Sequence, residues 1–144
     1  MDKSELLRFL LTHKWTVQSS VSRSGAPQSA LVGFAVTERF EMVFDTLDTT
    51  RKAANLKGNS RIAFVVGGWR NGDERTVQYE GIAEFPEGDE LQRLKTVYFA
   101  AFPDGPSRQT WPGITYVRAR PLWIRYSNFN TSPPEVCEWR FEEK

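Results

Sequence analysis

Phe44-Asp45-Thr46-Leu47-Asp48-Thr49-Thr50-Arg51-Lys52-Ala53-Ala54-Asn55-Leu56 is the stretch on which the fold turns. Its first residues finish a strand that begins near Phe40. Asp48 and Thr49 then supply cap chemistry, Ala53, Ala54 and Leu56 supply helix propensity, and Gly58 is placed to stop a short helix. The helix opens with two hydroxyls and two cations. Free N–H groups at a helix start, flanked by Arg51 and Lys52, form a natural phosphate pocket. The plainer reading is that Thr49 only caps and the cations are solvated, although cations in a first turn oppose the helix dipole and call for a compensating anion.

Working outward, Leu6, Leu7, Leu10 and Leu11 recur at helical spacing behind Asp2 and Ser4, which predicts an amphipathic helix ending near His13. Trp15 to Val21 is rich in strand formers, Ser24-Gly25 marks a turn, and Gln28 to Thr37 resumes the sheet, so a hairpin is expected. With Phe40 to Phe44 as a third strand, these segments form a meander. Beyond the short helix, Arg61 to Val66 reads as a strand buried on both faces. Arg75 to Phe85 alternates, with Val77, Tyr79, Ala83 and Phe85 on one face and Thr76, Gln78, Glu80 and Glu84 on the other; Gly81 marks a bulge or close approach. Leu91, Leu94, Val97, Tyr98 and Ala101 predict a third helix ended by Pro103, followed by a loop carrying Trp111 and the last strands, Ile114 to Tyr126 and Val136 to Phe141. The fold class is α+β, an antiparallel split β-barrel of about six or seven strands with flanking helices, in a single domain over residues 1–144.

Composition removes several function classes. The chain has 19 Lys and Arg against 18 Asp and Glu, scattered along its length, so no basic footprint for nucleic acid appears. One cysteine, Cys137, and one histidine, His13, leave neither an intramolecular disulfide nor a Cys/His zinc site, and no metal site is expected. No apolar run approaches the roughly 20 residues that span a bilayer, and the first residues lack a leader pattern, which predicts a cytoplasmic protein without membrane contact. Neither a G-x-G-x-x-G nor a P-loop stretch is present, and no G-x-S-x-G elbow serves His13, a residue better placed to stabilise a helix C-terminus or sit in solvent than to act as a base. Glu80 and Glu84 read as the wet face of a strand.

Ser24-Gly25-Ala26-Pro27, then Phe44-Asp45-Thr46, Arg51-Lys52-Ala53 with Asn55-Leu56, then Asn59-Ser60-Arg61-Ile62-Ala63, then Val77-Gln78-Tyr79-Glu80-Gly81-Ile82-Ala83, in that order, resemble the FMN-binding split-barrel superfamily of pyridoxamine 5'-phosphate oxidase. The general-stress-protein branch is the nearest in pattern. The resemblance implies a homodimer with two FMN molecules in the interface. It places the phosphate on Arg51 and Lys52 beside Thr50, and the ribityl phosphate arm near Thr46 and Asp45. It lays Gln28, Ser29, Ala30, Leu31 and Val32 along the ring, and brings Gln78 or Thr76 toward it from the long strand. Trp111, Trp123 and Arg125 are its later candidates, whereas Trp15, Trp69 and Trp139 are read as packing residues, and Arg118 and Arg120 as sharing a solvent or interface face.

The strand Gln28-Ser29-Ala30-Leu31-Val32-Gly33-Phe34 carries no cation, and the C-terminus is not the basic segment of enzymes that oxidise pyridoxamine phosphate. The substrate implied is therefore another small molecule or a reduced nicotinamide, with no catalytic residue assigned. A flavin carrier or redox sensor without turnover, and a barrel holding deazaflavin or haem, are the competing expectations.

Overall fold

Asp2 opens the first helix, α1 (Lys3–Leu11), with a capping box: its carboxylate accepts the Glu5 N–H and the Glu5 carboxylate accepts the Asp2 N–H, each at 2.9 Å. The computed structural model describes residues 1–143. After α1 come β1 (Trp15–Val21), β2 (Pro27–Gly33), β3 (Ala35–Val36), β4 (Met42–Leu47), α2 (Arg51–Gly58), β5 (Arg61–Gly67) and β6 (Arg75–Glu84). Then follow α3 (Gly88–Ala101), a 3-10 turn (Gly105–Thr110), β7 (Ile114–Asn128) and β8 (Glu135–Arg140). No described helix is long and apolar enough to cross a membrane.

The strands form one antiparallel sheet in the order β2-β1-β5-β6-β7-β4-β3, with β8 also on β7. β2 and β3 stand at opposite ends of this order yet are separated by Phe34 alone, so the sheet is curled into a split barrel. The expected meander is realised by a bent segment whose first half pairs β1 and whose second half pairs β4. The bend is why the strands number eight. In β7 the first half pairs β4 and the second half pairs β8.

The barrel interior is aromatic: Phe34, Phe44, Phe64 and Tyr79 are almost fully buried, and the Tyr79 hydroxyl donates to the carbonyls of Phe40 (2.7 Å) and Ala119 (3.1 Å). β5 departs from the expected two-sided burial. Ile62, Phe64 and Val66 face inward, whereas Val65 is 43% exposed on the outer face, in register with Val17 of β1, which is in turn opposite Leu31 of β2. At Gly81 the register of β6 against β7 shifts, leaving Leu122 as the extra residue of a bulge; a Cβ there would collide with the Arg120 carbonyl.

Outside the barrel, α3 covers β3, β4 and the start of β7 through Leu94, Tyr98, Val43 and Tyr116. That cover corrects the expectation for Arg118. Its side chain, 11% exposed, pairs with Glu41, Glu84 and Glu90, while Arg93 of α3 pairs with Glu41 and Glu90. Arg120 joins through Glu84 at 2.8 Å. Burial would raise the Glu41 pKa, but hydrogen bonds from Arg93, Thr37 and Arg118 outweigh it and hold the carboxyl below its ordinary 4.5. The same arginines hold Glu90 at about 2.

Both folded-state values lie below the unfolded ones, so these carboxylates stabilise the fold above the ordinary carboxylate range, and the contribution disappears as pH falls through their folded pKa values. Urea unfolding should give a level stability near neutrality that declines in acid. Glu41→Gln, which takes one carboxylate partner from both Arg93 and Arg118 while Glu90 still pairs them, should cost about 1.5–3 kcal/mol at neutral pH and flatten that acid decline.

Candidate functional site

The start of α2 is held from below. Thr50, in extended conformation, caps it by accepting the Ala53 N–H at 3.4 Å; its own hydroxyl reaches the Leu47 carbonyl at 2.8 Å and the Thr46 hydroxyl at 3.0 Å. The cap is thus Thr50, one residue beyond the expected Asp48-Thr49, because the chain becomes helical only at Arg51. The Arg51 and Lys52 N–H groups at the helix start have no partner within α2. Asn55 fixes the helix to the sheet, its Nδ2 donating to Ser20 Oγ at 3.0 Å and Gln28 Oε1 at 2.9 Å. With those oxygens accepting, the Ser20 hydroxyl proton and the Gln28 amide protons remain available as donors.

A cavity of about 340 Å³ lies at this helix start. Gln28, Ser29, Ala30, Thr50, Arg51 and Lys52 line it, brought together from two distant segments of the chain, and Gln18, Ser20 and Thr49 complete it. Burial alone lowers the Lys52 pKa, with no carboxylate to oppose it. Arg51 is exposed. Gln18 is 1% exposed, and its Oε1 has no hydrogen-bond partner. The arrangement can hold an anion at the helix start and a polar group deeper in.

Gln18, Ser20 and Asn55 escaped the reading of the sequence. The signal was there: Thr16, Gln18 and Ser20 alternate with Trp15, Val17 and Val21, and in β1 the polar set is buried and the apolar set faces out.

The remaining expected residues lie elsewhere in the chain. Thr46 sits beneath Thr50, Val32 belongs to the barrel core, and Leu31 points outward with 63% exposure. Gln78 is exposed on β6, in register with Val65. Trp111 is exposed beyond the 3-10 turn. Asp45 lies on the opposite face of β4 from Thr46, under α3, where it accepts from Tyr98 (3.0 Å) and Arg108 (2.9 Å) and does not line the cavity. Arg125 pairs with Glu138 and lies over Trp123. Of the tryptophans read as packing, Trp139 packs against the core while Trp15 and Trp69 are about half exposed. His13 is buried at the end of α1, with Nδ1 at 3.0 Å from the Phe9 carbonyl and its pKa lowered chiefly by burial. Among the described residues no three His, Cys, Asp or Glu side chains are grouped to hold a metal.

Residues 3–128 match the family model for pyridoxamine 5'-phosphate oxidase. No curated protein matches the chain. Among solved structures, the fold is similar to a haem-binding protein from Mycobacterium smegmatis, with 16% identity and a TM-score of 0.81 over 97% of this chain and 58% of that one. The chain therefore spans little more than half the length of that relative. It is also similar to the haem storage protein HutZ from Vibrio cholerae, with 14% identity and a TM-score of 0.71 over 95% of this chain and 92% of that one. A third similarity is to a pyridoxamine 5'-phosphate oxidase-related, FMN-binding protein from Nostoc punctiforme, at 12% identity and a TM-score of 0.64 over 98% and 93% of the two chains. Identities this low speak for the fold alone.

The position of Asp45 carries a direct test. Asp45→Asn should lower the unfolding free energy by about 1.5–3 kcal/mol in urea denaturation, since it weakens a charge-assisted bond that holds the 3-10 turn to the sheet.

Proposed function

Because the chain belongs to the pyridoxamine 5'-phosphate oxidase family, we propose that it is an FMN-binding flavoprotein, a homodimeric oxidoreductase acting on a small molecule or a reduced nicotinamide. The observation that carries this reading is the cavity at the start of α2, where Arg51, Lys52, two backbone N–H groups, the Ser20 hydroxyl and the Gln28 amide converge. A phosphate there would accept from several of these donors at once, and would supply the anion that the half-buried Lys52 lacks. FMN, when bound, supplies the electron transfer. This chain's part is to bind and orient it: Arg51 and Lys52 neutralise the phosphate, and β2, an end strand of the sheet, offers backbone donors and acceptors from Gln28 to Ala30 to a ring edge.

Haem is the competing ligand, since some relatives are named for it. FMN is favoured because the cavity lining contains none of the His, Cys, Met or Tyr side chains that ligate haem iron, and the sole histidine is engaged at the end of α1. A second copy of the chain is favoured as partner by the outer face beside the cavity. There Leu31, Val17 and Val65 form a row across three strands, two of them exposed at 63% and 43%, next to a half-exposed Trp15. A copy seated on that row would close the cavity and bring its own surface to the ring.

Arg51→Ala with Lys52→Ala removes two charge-assisted contacts worth about 1.5–3 kcal/mol each, so FMN affinity should fall by about two orders of magnitude or more with the fold intact. Titration followed by visible absorption reads this, and unchanged affinity would sink the phosphate site. Leu31→Glu should convert the protein to a monomer in light scattering; a wild-type chain that stays monomeric with FMN contradicts the dimer.

A further inference from the structure

A second cavity, larger than the one at α2, lies elsewhere in the protein. It measures about 650 Å³, within the size range of small-molecule sites, and shares no lining residue with the first. Two local departures from regular structure shape it. The bulge at Leu122 interrupts the pairing of β7 with β6, and Pro121 and Leu122 lie on the cavity wall with Ile82 and Phe141. The turn between β3 and β4 places Arg39 at its edge, and is closed by Phe40 at φ 61, a left-handed conformation that costs a bulky residue about 1–3 kcal/mol. The strain is held in place by burial of the Phe40 ring against Phe141 and by the Tyr79 hydroxyl on its carbonyl.

Charge is distributed unevenly around this space. Arg118, Glu41 and Glu90 in its wall belong to the network of three arginines and three glutamates under α3, which is internally balanced. Arg118 Nε is buried there without a partner. Its exposed lining holds three cations, Lys3, Arg39 and Arg140, none of them in an ion pair among the described residues, and two carboxylates, Glu142 and Glu143, so it is net positive; Lys3 lies over the Phe141 ring at 5.1 Å. An apolar wall beside an excess of unpaired cations fits an amphipathic anion, with its charge on Arg39 and Arg140 and its body on Leu122, Ile82 and Phe141.

We propose that this cavity is a second ligand site, for a small organic anion that carries a carboxylate or phosphate on an apolar body. The site is independent of the cofactor reading. Salt should weaken it, because the cations at the rim are exposed.

The test is an amide-resolved NMR titration of the full chain with 2-naphthoate, with acetate as the comparator that lacks the apolar body. Saturable shifts are expected at residues 39–41, 122 and 140–143, and not at 28–30 or 49–52. Arg39→Gln with Arg140→Gln should weaken naphthoate about tenfold, a change of the size expected when charge-assisted contacts are lost, and leave FMN affinity unchanged. The proposal is overturned by shifts confined to the α2 cavity, by no saturable shift, by undiminished affinity in the double variant, or by acetate binding as tightly as naphthoate.

Discussion

One residue, Phe34, separates the two ends of the sheet. Because β2 and β3 are consecutive in the chain yet first and last in the strand order, the sheet is obliged to curl until its edges nearly meet. A curl this tight leaves room for little besides side chains, and Phe34, Phe44, Phe64 and Tyr79 fill the middle of it. Where β1 runs beside α2 the filling is polar instead, with Thr16, Gln18 and Ser20 turned inward. The cavity opens against that polar filling: Gln18 and Ser20 line it, and the small Ser20 leaves space that a leucine would close.

The same inversion explains why much of the barrel was legible in the sequence and part of the site was not. Helix and strand identities followed from periodicity, and so did the place of α2 with Arg51 and Lys52 in its first turn. Ordinary alternation, however, assigns the apolar set of a strand to the core. In β1 that rule puts Trp15 and Val17 inside and Gln18 outside, whereas the structure has them the other way round. Local pattern carries no information about which face of a strand a second body will cover, so a strand with an apolar outer face cannot be oriented from its own residues.

Asp45 and Arg118 illustrate a related limit. Both sit on faces of β4 and β7 that a lone sheet would expose, where charge is unremarkable. Their burial comes from α3, which arrives from a distant part of the chain and covers that surface. Once covered, each charge needs partners: Asp45 has Tyr98 and Arg108, and Arg118 has three glutamates. A strand-end aspartate beside a helix start is therefore ambiguous in sequence between a ligand contact and an anchor for a covering element, and only the three-dimensional neighbours decide it.

The two kinds of charge in this chain separate on that criterion. α1 and α3 carry acidic residues in their first turns, Glu5 in one and Asp89 and Glu90 in the other, as the helix dipole favours. α2 carries none, and begins with Arg and Lys. The arginines under α3 are matched in charge by glutamates within the fold. Lys52 is half-buried, its ammonium disfavoured by burial, and it stands at a helix end whose dipole repels it. Two unfavourable terms without an internal compensation mark a site at which the fold alone is electrostatically incomplete. In the proposed reading an FMN phosphate supplies that negative charge, where the N–H groups of α2 point.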